Sequence, residues 1–333
     1  MRAVRARSFG GIDALALEEV PPPAMLPGGV RIAVQAAGVS FANLLVLEGR
    51  HQNRPDLPFT PGTEIAGIVT ELSGEGGHGL QPGDRVCAGL PSGGFAAEAV
   101  AAAGNVFRIP AGLGFAAATH FPTIYATAHC ALAWRAQLQP GETLLVHGAA
   151  GASGLAAVEI GAALGARVIA TAGSPDKAAA ARAHGAAAVI DHRAGPIREA
   201  VLDLTGGSGV DIVFDPVGGD LFDQSLRCVA PLARILTIGY ASGRIPQVPA
   251  NILLVKNLSL IGLYWGYYMA WGKTQAPPAL RARVRTLFDE LFALFEQGRL
   301  HPVIDRELPL AQFADALRRV QDRKVIGKVV LLP

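Results

Sequence analysis

Leu144-Leu145-Val146-His147-Gly148-Ala149-Ala150-Gly151-Ala152-Ser153-Gly154 is the stretch whose reading decides the fold. An apolar run gives way to a turn of small residues, and an alanine-rich segment then continues to Gly165. That is a strand, a tight turn and a helix start. Small residues let backbone approach a pyrophosphate closely, and a helix N-terminus offers unpaired N–H groups and a favourable dipole. Position 149 is Ala, so the stretch departs from a strict G-x-G-x-x-G pattern. A bare strand–helix turn with no ligand is the competing reading, and the surroundings decide between them.

Outward from the turn, strands and helices alternate. Ser153 to Gly165 and Asp176 to His184 read as alanine-rich helices, each closed by a glycine, Gly165 and Gly185. Thr143–His147, Arg167–Ala172, Ala188–Ile190, Val210–Phe214 and Ala233–Ile238 read as short apolar strands. This order predicts a doubly wound parallel sheet. Before residue 120 the pattern is different. Val30–Ala37, Ile65–Leu72 and Phe95–Val100 are strand-like, and Gln81-Pro82-Gly83-Asp84 is a turn feeding another strand. Such strands with Gly/Pro punctuation predict a partly open barrel. After residue 280, Val284, Leu287, Phe288, Leu291, Leu294 and Phe295 make one apolar helical face. Phe313, Ala316, Leu317 and Val320 make a second, and Val325–Leu332 closes as a strand.

Composition narrows the function. Half of the 333 residues are hydrophobic, 17% are charged and the formal net charge is +2, so the chain can bury a large core. A near-neutral balance argues against nucleic acid or an anionic membrane as partner. The three cysteines, Cys87, Cys130 and Cys228, are far apart and odd in number; a reducing, cytoplasmic setting is expected. The opening residues lack the apolar run of a signal peptide. The stretch Asn251–Trp271 is interrupted by Lys256 and Asn257, and is expected to be a buried strand plus loop rather than a membrane span.

The end of the second strand chooses between cofactors. An acid there holds a ribose diol and repels a 2′-phosphate. Here the chain reads Ala172-Gly173-Ser174-Pro175-Asp176-Lys177. Glycine and serine stand at the acid's place, with a cation on the next helix. NADPH is the expected cofactor, with Gly173, Ser174 and Lys177 around the 2′-phosphate and His192 and Arg193 as the other wall. Lys177 as a merely solvated helix residue, or Asp176 reaching the ribose, is the competing reading.

With these residues in view, the chain resembles the zinc-free medium-chain dehydrogenase/reductase superfamily, in its NADPH:quinone oxidoreductase (zeta-crystallin-like) branch. The resemblance is carried in order by Ala37-Gly38-Val39-Ser40-Phe41-Ala42-Asn43, Pro61-Gly62-Thr63-Glu64, Pro82-Gly83-Asp84-Arg85-Val86, the 144–154 stretch, Asp215-Pro216-Val217-Gly218 and Gly327-Lys328-Val329-Val330. It implies an α/β chain with a GroES-like catalytic barrel built from residues 1–120 and 263–333. A doubly wound Rossmann domain, 121–262, is inserted between them. Zinc-dependent relatives bind a catalytic metal through Cys and His where this chain has Ser40 and Thr63. Neither is a good zinc ligand, so no metal is expected.

The resemblance also implies site residues. Thr127 meets the nicotinamide, and Gly239, Tyr240, Leu263, Tyr264 and Trp265 wall its pocket. Ala150, Gly151, Ala152, Ser153 and Gly154 cradle the phosphates, and Lys328 is expected at the cofactor. Ser40, Asn43 and Tyr264 are the candidates to hydrogen-bond a substrate. The implied chemistry is NADPH-dependent reduction of a quinone or similar conjugated carbonyl. Reduction of an enone or enoyl-CoA on the same scaffold stays open, as does an NADPH-binding protein with little catalysis, crystallin-like or RNA-binding. A homodimer is expected, because in relatives the edge near Leu258–Leu263 pairs with its two-fold mate.

Overall fold

The computed structural model describes residues 1–74 and 78–333. The chain forms two compact units: Met1–Thr123 with Trp265–Glu296 and Pro302–Pro333, and Ile124–Tyr264 with Gln297–His301.

The first unit is built on a sheet whose neighbours run Ile304–Pro309, Lys328–Leu332, Gly29–Val39, Glu64–Leu72, Arg85–Gly89 and Val106–Arg108. Glu98–Ala102 also pairs with the long strand Gly29–Val39. That strand alternates: Val30, Ile32 and Val34 are buried, while Arg31 between them reaches Glu71 and Glu98. Alternation of this kind gives the strand one face in the core and one toward water. Ile65, Val69, Val86, Phe95, Val329 and Leu331 complete the core. The C-terminal strand Lys328–Leu332 pairs antiparallel with Gly29–Val39, so both chain ends build the one barrel. The helix Pro278–Glu296 buries Val284, Leu287, Phe288 and Leu291, the face marked by their helical spacing, and Phe288 stacks on Phe107.

The second unit is a sheet of six parallel strands, ordered Ala188–Asp191, Arg167–Ala172, Thr143–Val146, Val210–Asp215, Val229–Thr237, Ser259–Gly262. Leu144, Leu145 and Val146 are fully buried, as a central parallel strand requires. The chain leaves Thr143–Val146 toward one edge, then returns to fill the other side from Val210. The strand order therefore reverses beside residues 147–151, the place where open parallel sheets take ligands. The fold is the GroES-like barrel plus doubly wound sheet that the sequence implies.

One stretch departs from expectation. Residues 251–256 belong to the stretch expected as a buried strand plus loop, and the structure puts them in a short helix, Ala250–Lys256, with no buried residue. Leu254 and Val255 are 77% and 75% exposed. Asn257 ends this helix in the left-handed conformation, which asparagine tolerates, and only Ser259–Gly262 is strand. Among the described residues no helix is long and apolar enough to cross a membrane.

Candidate active site

The glycine turn takes its shape from close packing. Gly148 sits at φ 59°, and Gly151 N–H donates to Gly148 O at 3.1 Å. A methyl on Gly154 would lie 2.3 Å from Gly148 O and 2.6 Å from Ala149 Cα. Backbone leaves no room there for a side chain. Gly151 begins the helix Ala152–Ala163 without a side-chain cap, so its first N–H groups stay available to an anion. Below the turn, His147 is fully buried between Ser225 Oγ at 2.7 Å and Thr171 Oγ1 at 3.2 Å. Burial drives its pKa down to about 3, so it stays neutral and ties neighbouring elements together.

Around the turn stand the C-terminal ends of the other strands. Ser174 caps the helix Pro175–Ala183, its Oγ accepting from Lys177 N–H at 3.4 Å. A methyl on Gly173 would lie 3.0 Å from Arg193 Nε and from His192 Cε1, and 3.1 Å from His192 Nε2. Glycine at 173 thus lets an imidazole and a guanidinium close over the strand end. The His192 pKa is lowered, first by burial; Asp191 opposes this, and the charges of Arg193 and Lys177 add to the lowering. The structure therefore brings Gly173, Ser174, Lys177, His192 and Arg193 together.

On the other side, Asp215 accepts from Val217 N–H at 2.7 Å and Gly218 N–H at 2.9 Å. Burial is the main influence raising its pKa, and these two donors oppose it. The bonds fold residues 216–218 back toward the glycine turn: a methyl on Gly148 would sit 3.1 Å from Val217 Cγ2. Gly239 lies against Pro216 O, and Tyr240 Cδ1 approaches Gly218. Leu263 N–H reaches Thr237 O at 3.3 Å, which places Leu263 and Tyr264 at this same sheet end. Burial raises the Tyr264 pKa. Thr127 stands half-exposed on the short helix Ala126–His129. The preceding Tyr125 donates its hydroxyl to buried Glu159 Oε2 at 2.5 Å, which fixes that helix to Ala152–Ala163. Glu159 Oε1 also meets His184 Nδ1 at 2.5 Å and accepts from His301 N–H at 3.0 Å. The sequence reading missed this hub. Its one signal is a lone acid in an otherwise apolar helix.

In the first unit, four residues expected at cofactor or substrate have partners within the unit. Lys328 is buried, and its ammonium is held by Glu64 and by Thr119 O at 2.9 Å. Gly38 makes room for it, since a methyl there would lie 2.3 Å from Lys328 Cε. Trp265 donates its indole N–H to Pro122 O at 2.8 Å and stacks on Tyr268. Asn43 is buried, and its Oδ1 accepts from Ser40 N–H at 2.8 Å and Ser40 Oγ at 3.2 Å. Ser40 and Asn43 thus serve each other at the start of the helix Phe41–Leu47. A buried cation needs a counter-charge and a buried donor needs an acceptor, and in each case the nearest partner is inside the unit. Among the described residues no three His, Cys, Asp or Glu are grouped to hold a metal ion.

Two family models match: an alcohol dehydrogenase GroES-like domain over residues 26–111 and a zinc-binding dehydrogenase over residues 152–280. The chain is 42% identical over 319 residues to the bovine quinone oxidoreductase-like protein 2, covering 95% of this chain and 88% of that one. It is 33% identical to the quinone oxidoreductase of Pseudomonas aeruginosa, over 100% of this chain and 99% of that one. In structure it is similar to Escherichia coli quinone oxidoreductase complexed with NADPH, with a TM-score of 0.90, 27% identity and all of both chains covered. The chain belongs to the medium-chain dehydrogenase/reductase family, in its quinone oxidoreductase branch.

Proposed function

We propose that this protein is a zinc-independent, NADPH-dependent reductase of quinones or similar conjugated carbonyls. The observation that carries the reading is the strand end at Gly173, where Ser174, Lys177, His192 and Arg193 converge and glycine and serine stand in place of a ribose-holding acid. A ribose 2′-phosphate would find a hydroxyl and cations there. The Escherichia coli structural relative is complexed with NADPH, which supports the choice. Gly148, Ala150, Gly151, Ala152, Ser153 and Gly154 would hold the pyrophosphate. Thr127, Gly239, Tyr240, Leu263 and Tyr264 would bound the nicotinamide.

Bound NADPH supplies a hydride. The chain's own task is to orient the nicotinamide, exclude water and hold the acceptor in line. Ser40 and Thr63 lack the ligand chemistry for zinc, and that supports polarising the acceptor by hydrogen bonds rather than by metal.

The test is NADPH oxidation with a panel of quinones, enones and enoyl-CoA thioesters, with elemental analysis of the same preparation. The expected result is turnover with quinones, faster with NADPH than NADH, and no stoichiometric zinc. Turnover confined to enoyl-CoA, binding without turnover, or one tightly held zinc per chain would overturn the reading.

A further inference from the structure

The proposed reaction needs donors for the acceptor's oxygen, and this inference rests on that reading. The Ser40 hydroxyl is given to Asn43 Oδ1, and Trp265 donates to Pro122 O. Two buried polar atoms of the first unit have no hydrogen-bond partner among the described residues: Trp271 Nε1 and Thr123 Oγ1. Trp271 is only 8% exposed. An indole N–H can only donate, so what it lacks is an acceptor. Buried donors are rarely left unmet, and each such case calls for an explanation.

Their neighbourhood supplies one. A methyl on Gly89 would lie 2.7 Å from Met269 Cε, 3.1 Å from Trp271 Cζ2 and 3.6 Å from Pro122 Cβ. Trp271 and Pro122, which precedes Thr123, therefore converge on Gly89. Gly89 pairs with Glu64, and Leu90 N–H donates to Thr63 O at 2.9 Å. Thr63 stands where zinc-dependent relatives place a metal ligand. So the unmet indole N–H belongs to the wall that carries the former metal position, and Thr123 directly follows a residue of that wall. Glycine at 89 gives Met269 and Trp271 the room to pack on that wall, since any side chain would collide with Met269.

We propose that Trp271 Nε1–H and Thr123 Oγ1–H are the donors that receive the carbonyl oxygen of a conjugated acceptor. A flat quinone presents an in-plane oxygen to such donors and an apolar ring to Met269 and Pro122. The indole and the hydroxyl take the place of the metal's pull on that oxygen.

The experiment uses Trp271→Phe and Thr123→Val in the full chain. Three quantities are read: the thermal midpoint, the dissociation constant for NADPH, and the dissociation constant of 1,4-naphthoquinone from the NADP⁺-loaded protein, where no turnover occurs. Exchanging an unmet buried donor for carbon is neutral or stabilising, so the midpoint should hold or rise. NADPH affinity should be unchanged. Naphthoquinone should bind about tenfold more weakly in each variant, with kcat/KM falling in step. Thr123→Val is nearly isosteric and carries the test should Trp271→Phe fold poorly. Unchanged naphthoquinone affinity in Thr123→Val, or a parallel loss of NADPH affinity, overturns the donor assignment alone. A wild type that binds no quinone and oxidises no NADPH overturns the functional reading and this inference with it.

Discussion

At the scale of single residues, cofactor choice concentrates on a few atoms around Gly173. Lys177 and Arg193 both act electrostatically on His192, so the cations share one neighbourhood. A charge-assisted bond to phosphate is worth roughly 1.5–3 kcal/mol. Lys177→Ala should therefore raise the NADPH dissociation constant about ten- to a hundredfold, since ~1.4 kcal/mol is tenfold. NADH lacks the phosphate and should be held as before. Fluorescence titration of both nucleotides against wild type and variant reads this directly. Equal weakening of both would show that Lys177 supports the fold rather than the phosphate.

At the scale of elements, buried polar groups tie strands and helices together, and two of these ties are testable. The Glu64–Lys328 pair joins the start of strand Glu64–Leu72 to the C-terminal strand. Burial is the main influence on both: it raises the Glu64 pKa and lowers that of Lys328, while their mutual attraction opposes each shift. Lys328→Met would leave a buried carboxyl without its cation, a loss of roughly 3–5 kcal/mol. Adding Glu64→Gln should recover much of that. Urea unfolding of the single and double variants separates a structural pair from a cofactor contact, because only a cofactor contact would leave apo stability untouched.

The second tie is His147, whose folded pKa of about 3 lies below the ordinary imidazole value. Between those values the unfolded chain binds the proton and the folded chain does not. Stability is thus complete above the ordinary value and falls as pH drops toward 3. At pH 5 one such histidine removes about 2 kcal/mol. His147→Asn should start less stable and show a flatter loss from pH 7 to pH 5 in urea midpoints. His120, also driven to about 3 by burial, keeps part of the slope in the variant. An undiminished slope would place the acid sensitivity elsewhere.

At the scale of the molecule, the strand Ser259–Gly262 lies at the edge of the six-stranded sheet. Leu260 on it is 40% exposed, and Leu254 and Val255 of the preceding helix are more so. An exposed apolar edge strand is a template for pairing, and two-fold pairing of identical edges closes without leaving a free one. A homodimer is the expected state. Light scattering coupled to size exclusion should give twice the 34.5 kDa chain mass, and Leu260→Lys should shift the protein toward monomer. A single chain mass at micromolar concentration would count against the pairing.

The sequence by itself determined what depends on local pattern. The strand–turn–helix at 144–154, the glycine stops at Gly165 and Gly185, and the apolar face from Val284 to Leu291 are short-range signals. Backbone sterics and periodicity fix them wherever the chain goes. The strand end at Gly173 was legible for the same reason, because an absent acid and a nearby lysine are read along the chain. Tertiary structure alone decided which polar groups are free to act. Lys328 looks like a cofactor cation until Glu64, 264 positions away, is seen to hold it. Ser40 looks like a substrate donor until its hydroxyl is found given to Asn43 Oδ1. Residues 251–256 are apolar enough for a buried strand, yet they fold in a helix with no fully buried residue. Tyr125, His184 and His301 meet at Glu159, and Trp271 and Pro122 both come up to Gly89, through contacts that no local spacing announces. Burial is a property of the assembled chain, and it determines whether a charge is paired, a histidine is neutral or a donor is left waiting for an acceptor.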